Sequence, residues 1–161
     1  MILIPYASVI GSIMYAMMFT RPDVSYALIM TSRYQKNLGE SHWIAVKNIL
    51  RYLRRTKDLF LVFGGHTELC VNGYTDASFQ IDRDDLKSRA DFVFLVNGGA
   101  VCWRSFKESV TADSTTEAEY IAASEAVKEV VWIRQFLEGL KVVPSAAGPI
   151  TICFDNSGAI F

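Results

Sequence analysis

Apolar positions in the first third of the chain recur every three or four residues, and from residue 58 onward they gather into short runs. The stretch PYASVIGSIMYAMMF, residues 5–19, predicts a first helix. A second starts at Arg21-Pro22-Asp23, where proline fits the first helical turn and aspartate complements the positive end of the helix dipole. It is expected to reach about Gln35 and to stop near the turn-forming Asn37 and Gly39. A third helix spans 41–56 with Ser41 as its cap. Trp43, Val46, Leu50 and Leu53 form its apolar stripe, and Lys47, Arg51, Arg54 and Arg55 lie off it.

The runs that follow read as strands. DLFLVFGG covers 58–65 and LCVNGYTDASF covers 69–79. DFVFLV and AVCWRSF flank Asn97-Gly98-Gly99, a hairpin signal because such a turn needs positive φ. SVTADS, 109–114, reads as sheet strand too. A long helix is expected over 115–139, capped by Ser114 or Thr115, with Glu117 placed to close a capping box. Ala122, Val127, Val130, Val131, Ile133, Phe136 and Leu137 supply its apolar side, and Gly139 and Pro144 mark its end. PITICFD carries a last strand, 149–154, leading into Asn156 and Ser157. The order implies an α/β fold: three antiparallel strands, a crossover helix and a fourth strand in one mixed sheet, preceded by a small helical segment. The expected division is 1–57 and 58–161. A right-handed crossover brings strand 149–154 beside strand 71–77.

With 161 residues, 51% apolar and 20% charged, the chain builds a core and is not disordered. The net charge of −1 conceals a split: residues 1–57 hold eight Lys/Arg against two acids, and the remainder hold eight against fifteen. A basic first third points to nucleic-acid contact, with a plain solvated face as the alternative for Lys47, Arg51, Arg54 and Arg55. Cys70, Cys102 and Cys153 are too widely spaced for a zinc motif and read as free, buried thiols of a reducing compartment. Residues 1–20 are uncharged and long enough to span a bilayer, yet Pro5, Ser8, Ser12 and the lack of a basic leader favour a packed helix, so no membrane partner is expected. His42 reads as a packing or capping residue beside Trp43, and His66 as a loop residue.

Candidate chemistry lies in the carboxylates. Asp76 interrupts the strand YTDAS, and Asp155 ends the strand carrying Ile150, Ile152 and Phe154. If the two strands are neighbours, both acids reach one end of the sheet, where the first turns of the crossover helix can aim Glu117 or Glu119. Converging carboxylates repel one another unless a cation joins them, and oxygen ligands suit Mg²⁺ or Mn²⁺. Such a site fits metal-assisted phosphodiester hydrolysis.

PYASVIGSIMYAMMFTRPDVSYAL, HWIAVKNILRYLRRT, GYTDASF, NGGAVCWRS, ADSTTEAEYIAASEAVKEVVWIRQFL and DNSGAI follow one another in this order. Together they resemble the C-terminal part of the Pol polyprotein of Ty1/copia-type retrotransposons over nearly the whole chain. The resemblance implies that residues before about 57 end a reverse transcriptase, as its thumb or connection. Residues from about 70 onward are implied to form a ribonuclease H domain, which cuts the RNA strand of an RNA/DNA hybrid with Mg²⁺ (or Mn²⁺). It assigns Asp76, Glu119 and Asp155 as catalytic metal ligands. Glu119 is preferred to Glu117 because the catalytic glutamate precedes an apolar pair and small residues, as in Glu119-Tyr120-Ile121-Ala122-Ala123.

Ser114, Thr115 and Thr116 are implied to touch the hybrid's backbone and minor groove. The implied partners are the hybrid and the rest of the Pol polyprotein, in the cytoplasm within virus-like particles. The chain departs from the family at Ser78-Phe79, where Asp-Trp is usual, and at Lys87-Ser88-Arg89-Ala90-Asp91, where Lys-Ser-Thr-Ser-Gly is usual. It also ends before the family's final strand, His-bearing loop and fourth acid. The alternative expectation is therefore a catalytically inactive remnant that at most binds nucleic acid. A transposase-type integrase core is disfavoured because its glutamate comes last.

Overall fold

The computed structural model describes residues 5–64, 69–82, 86–141 and 149–155. His66, Pro144, Asn156 and Ser157, given loop or turn roles above, lie outside them. The chain divides into two compact units, Met1–Leu61 and Val62–Phe161.

The first unit is helical: α1 (Tyr6–Phe19), a 3-10 turn (Pro22–Val24), α2 (Ser25–Ser32) and α3 (Glu40–Arg55). Tyr6, Ile10 and Ile13 recur at helical spacing on α1 and pack with Val24, Leu28, Val46 and Ile49 into one core. The second helix is shorter than its expected end at Gln35. The Thr31 hydroxyl donates to the Ala27 and Leu28 carbonyls and that of Ser32 to Ile29, and residues 33–36 continue only as turns. The cap of α3 is Gly39 and not Ser41. The Gly39 N–H donates to His42 Nδ1 at 3.0 Å, and that ring stacks on Tyr34 at 3.9 Å. Ile49 takes the core position expected of Leu50, which is exposed; the buried stripe runs through Trp43, Val46, Ile49 and Leu53.

The second unit holds β1 (Val71–Ser78), β2 (Arg89–Val96), β3 (Gly99–Lys107), α4 (Thr115–Leu140) and β4 (Thr151–Cys153), with sheet order β3-β2-β1-β4. The hairpin turns at Asn97 (φ 48°) and Gly98 (φ 82°), the left-handed pair that closes a two-residue loop. The α4 crossover returns the chain so that β4 runs parallel to β1, Tyr74 opposite Cys153. This is the expected α/β architecture, a ribonuclease H-like mixed sheet. Phe92 and Phe94 on β2 pack against Ala126 and Ile133 on α4. A Cβ on Gly73 would collide with the Phe94 ring, so glycine is what lets β1 lie over the core.

Two expected strands do not form. Leu59, Phe60, Val62 and Phe63 are exposed, and among the described residues the segment's hydrogen bond to the hairpin turn is Gly64 N–H to Asn97 O at 3.1 Å. β3 and β4 form the edges of the sheet, and among the described residues neither takes this segment as a partner; β-propensity without ladder pairing does not make a strand. Residues 109–114 leave β3 at Lys107, and Ser114 is already committed to capping α4. On α4 the buried stripe is Ala118, Glu119, Ala122, Ala126 and Ile133. Val127, Val131 and Phe136, expected on that side, fall beside the stripe and stay half exposed.

Candidate metal centre

Asp76 projects from β1 and is exposed. Asp155 stands two residues beyond the end of β4. Glu119 comes from α4, whose start is fixed by Ser114: its Oγ accepts the Glu117 N–H at 3.1 Å, while Glu117 Oε2 accepts the Asp113 N–H at 2.7 Å. Glu117 is thus spent on the helix terminus. Glu119, two residues further in, is 6% exposed and its Oε1 accepts the Ala77 N–H at 3.2 Å. One carboxylate oxygen from each of Asp76, Glu119 and Asp155 lies within 4.8 Å of the others.

Burial pushes the Glu119 carboxyl above its ordinary value; the Ala77 amide pulls it down, and Asp76 and Asp155 push it up again. Its Oε2 is buried with no hydrogen-bond partner among the described residues. A buried, unsatisfied oxygen among like charges is the chemistry a hard divalent cation relieves. Two oxygens on opposite sides of one Mg²⁺ stand about 4.2 Å apart, so small side-chain rotations would close the cluster on a single ion. The residues present fit such a group.

The other site residues expected from sequence divide between the two units. Ser114, Thr115 and Thr116 are exposed at the start of α4. Lys47, Arg51, Arg54 and Arg55 lie on α3 of the helical unit, Arg51 donating to Asn48 at 3.1 Å. Asp91 is the direct cross-strand partner of Asp76, and its Oδ1 is buried with no partner among the described residues.

Two residues escaped the sequence reading. Glu108 is 2% exposed, neither of its carboxylate oxygens has a partner among the described residues, and burial, then Glu119 and Glu117, push it up to about 7. Lys107-Glu108-Ser109 looks like a polar connection and gives no warning of this. Cys153 was read as buried but is exposed. Its place between the apolar Ile152 and Phe154, in alternation with them, was the available signal.

Comparison with known proteins decides the family. Over 137 residues, 85% of this chain, it is 49% identical to a retrovirus-related Pol polyprotein from transposon TNT 1-94 of Nicotiana tabacum. It is 34% identical, over 97% of its length, to the Pol polyprotein from transposon RE2 of Arabidopsis thaliana. The chain belongs to the retrovirus-related Pol polyproteins of Ty1/copia-type transposons. It spans about a tenth of the length of these two relatives, 10% of each. Over 81% of its length it is also 41% identical to the secreted RxLR effector protein 161 of Plasmopara viticola, 92% of which it covers. No family model matches the chain, and no solved structure does. Among the described residues no helix of this Pol segment is long and apolar enough to cross a membrane.

Proposed function

We propose that Val62–Phe161 acts as a ribonuclease H that cuts the RNA strand of an RNA/DNA hybrid during reverse transcription. The helical segment before it would be the thumb or connection of the reverse transcriptase. The observation that carries this reading is the convergence of Asp76, Glu119 and Asp155 from β1, α4 and the end of β4. Glu119, held by the Ala77 amide, is the fixed ligand; Asp76 and Asp155, both exposed, would close on the ion from the solvent side. Mg²⁺ or Mn²⁺, when bound, supplies Lewis-acid charge to the phosphodiester and makes water a better nucleophile. The hydroxyls of Ser114, Thr115 and Thr116 would contact the hybrid's backbone and 2′-hydroxyls. Lys47, Arg51, Arg54 and Arg55 would meet phosphates. The working context would be the rest of the Pol polyprotein, in cytoplasmic virus-like particles.

The test is hydrolysis of a labelled hybrid with Mg²⁺ or Mn²⁺ by this chain and by Asp76→Asn. We expect cleavage by the first and a loss of at least about 100-fold in the second, with a melting temperature no lower than the parent's. Equal cleavage by both would remove Asp76 from the chemistry.

One observation favours a second reading, a non-cleaving nucleic-acid binder. Asp91 places a like charge directly across from Asp76, which destabilises a strand pair. That reading expects steeply salt-dependent hybrid binding with no products.

A further inference from the structure

Cys153 closes β4 opposite Tyr74 and, with Tyr74, Asp76 and Asp155, lines an open cleft of about 380 Å³. It is the exposed thiol of the three. Cys70 and Cys102 are half buried, and burial holds the Cys102 thiol above its ordinary value. The cleft is anionic at its end, where Asp76 and Asp155 converge with Glu119, a nine-tenths-buried side chain whose Oε2 has no hydrogen-bond partner among the described residues. Asp155 lies two residues from Cys153, roughly 6.6 Å along an extended chain.

We propose that Cys153 is a thiolation site selective for small disulfides that carry an ammonium group, and that the attached arm occupies the carboxylate centre. Cystamine is the simplest such reagent. The Cys153 thiolate attacks one of its sulfurs, the disulfide bond breaks, and an aminothiolate leaves and takes up a proton. Cys153 then carries a two-carbon arm ending in ammonium. The disulfide is itself the oxidant, so the exchange needs nothing else. The arm is long enough to cover the step to Asp155, and its head offers three N–H donors to the carboxylates. Like charge repels an anionic disulfide from the same cleft, so charge on the reagent selects before any bond forms. Displacement of a divalent cation by the arm is the one consequence that rests on the proposed metal centre.

The full chain is treated at a single pH with cystamine, with the neutral bis(2-hydroxyethyl) disulfide and with glutathione disulfide, and adducts are located by peptide mass mapping. The rate at Cys153 is expected to fall in that order by about tenfold or more across the series, and the spread to shrink at raised salt. Mn²⁺ affinity, read by calorimetry, falls at least about tenfold in the cysteamine adduct, holds when the thiol carries only an S-methyl group, and returns with dithiothreitol. Mn²⁺ binding by Cys153→Ser does not respond to cystamine. Equal rates for the three disulfides, first reaction at Cys70 or Cys102, or unchanged Mn²⁺ affinity in the cysteamine adduct each overturn the inference. A reduced chain that binds no Mn²⁺ overturns the metal centre instead, and the order of rates then decides the thiol inference alone.

Discussion

Arg21 in the helical unit and Glu108 in the sheet unit are both ionisable and both buried, and they are held in opposite ways. The Arg21 guanidinium donates to both Asp23 oxygens at 3.0 and 2.7 Å and to Thr56 O and Oγ1 at 3.2 and 2.6 Å, and lies 5.4 Å over the Tyr52 ring. Tyr52 completes the group by donating to Asp23 at 2.7 Å. Among the described residues Glu108 has no such company, and Glu119 has one oxygen without any. In the helical unit only the Ser25 hydroxyl is comparably left over among the described residues. Buried polar groups that serve a fold are satisfied, and those left unsatisfied mark places where a ligand, a proton or a cation completes the count.

The largest effect expected is at the satisfied end. Asp23→Asn keeps the shape and removes the charge, leaving Arg21 buried without its counter-ion. We expect a loss of about 3 kcal/mol, at the low end of the range for broken buried pairs because Asp23 is partly exposed. Amide exchange in α1–α3 under urea reads it. The Arg21 hydrogen bond, partly opposed by burial, holds the Asp23 carboxyl below its ordinary 3.8. A depressed acid contributes in full above its unfolded value and loses that contribution as pH falls through the folded one. The helical unit therefore loosens below about pH 4 in the native chain, and Asp23→Asn removes that acid step.

The same contrast explains what the sequence showed. Residues whose role is set by local spacing were legible: the Asn97-Gly98 turn, the Ser114 cap and Glu117 as its capping-box partner. So was the meeting of Asp76 with Asp155, because a right-handed crossover leaves β4 little choice of neighbour. Roles set by tertiary neighbours were not legible. Residues 58–64 have the composition of a strand, yet among the described residues they join neither edge of the sheet. Leu50 and Ile49 differ by one step of rotation, which only the position of α1 and α2 decides. Glu108 becomes a buried acid because its backbone N–H continues the ladder onto Ser88 O at 3.0 Å, which keeps its side chain within the field of Glu119 and Glu117 on α4.

Glu108 gives the intermediate effect, of opposite sign to Asp23. Its folded carboxyl is raised from 4.5 to about 7, so between those values the native state holds the proton that the unfolded chain releases. Stability then falls as pH rises through that window. Glu108→Gln imitates the protonated form at every pH. It should leave stability near pH 4.5 almost unchanged and raise it increasingly as pH climbs toward 8, by about 2 kcal/mol already at pH 6, a difference read from thermal melts across that range. A variant that melted lower at pH 8 would mean that the ionised form has a partner and that Glu108 belongs with Arg21.

Ser114 gives the smallest effect and tests where structure stops and contact begins. Its hydroxyl is a satisfied cap and also one of the three proposed to touch the hybrid. Ser114→Ala should cost about 1 kcal/mol through the lost bond to Glu117 N–H, whatever its part in binding. Thr115 and Thr116, exposed beside it, have no such bond among the hydrogen bonds described above, so their alanine variants should melt within about 0.5 kcal/mol of the parent. Hybrid affinity measured on all three separates the roles. If Thr115→Ala and Thr116→Ala weaken binding while the melt stays put, the segment contacts the hybrid directly. If only Ser114→Ala weakens it, in proportion to its lost stability, the segment serves the hybrid by holding the first turn of α4, and Glu119 with it, in place.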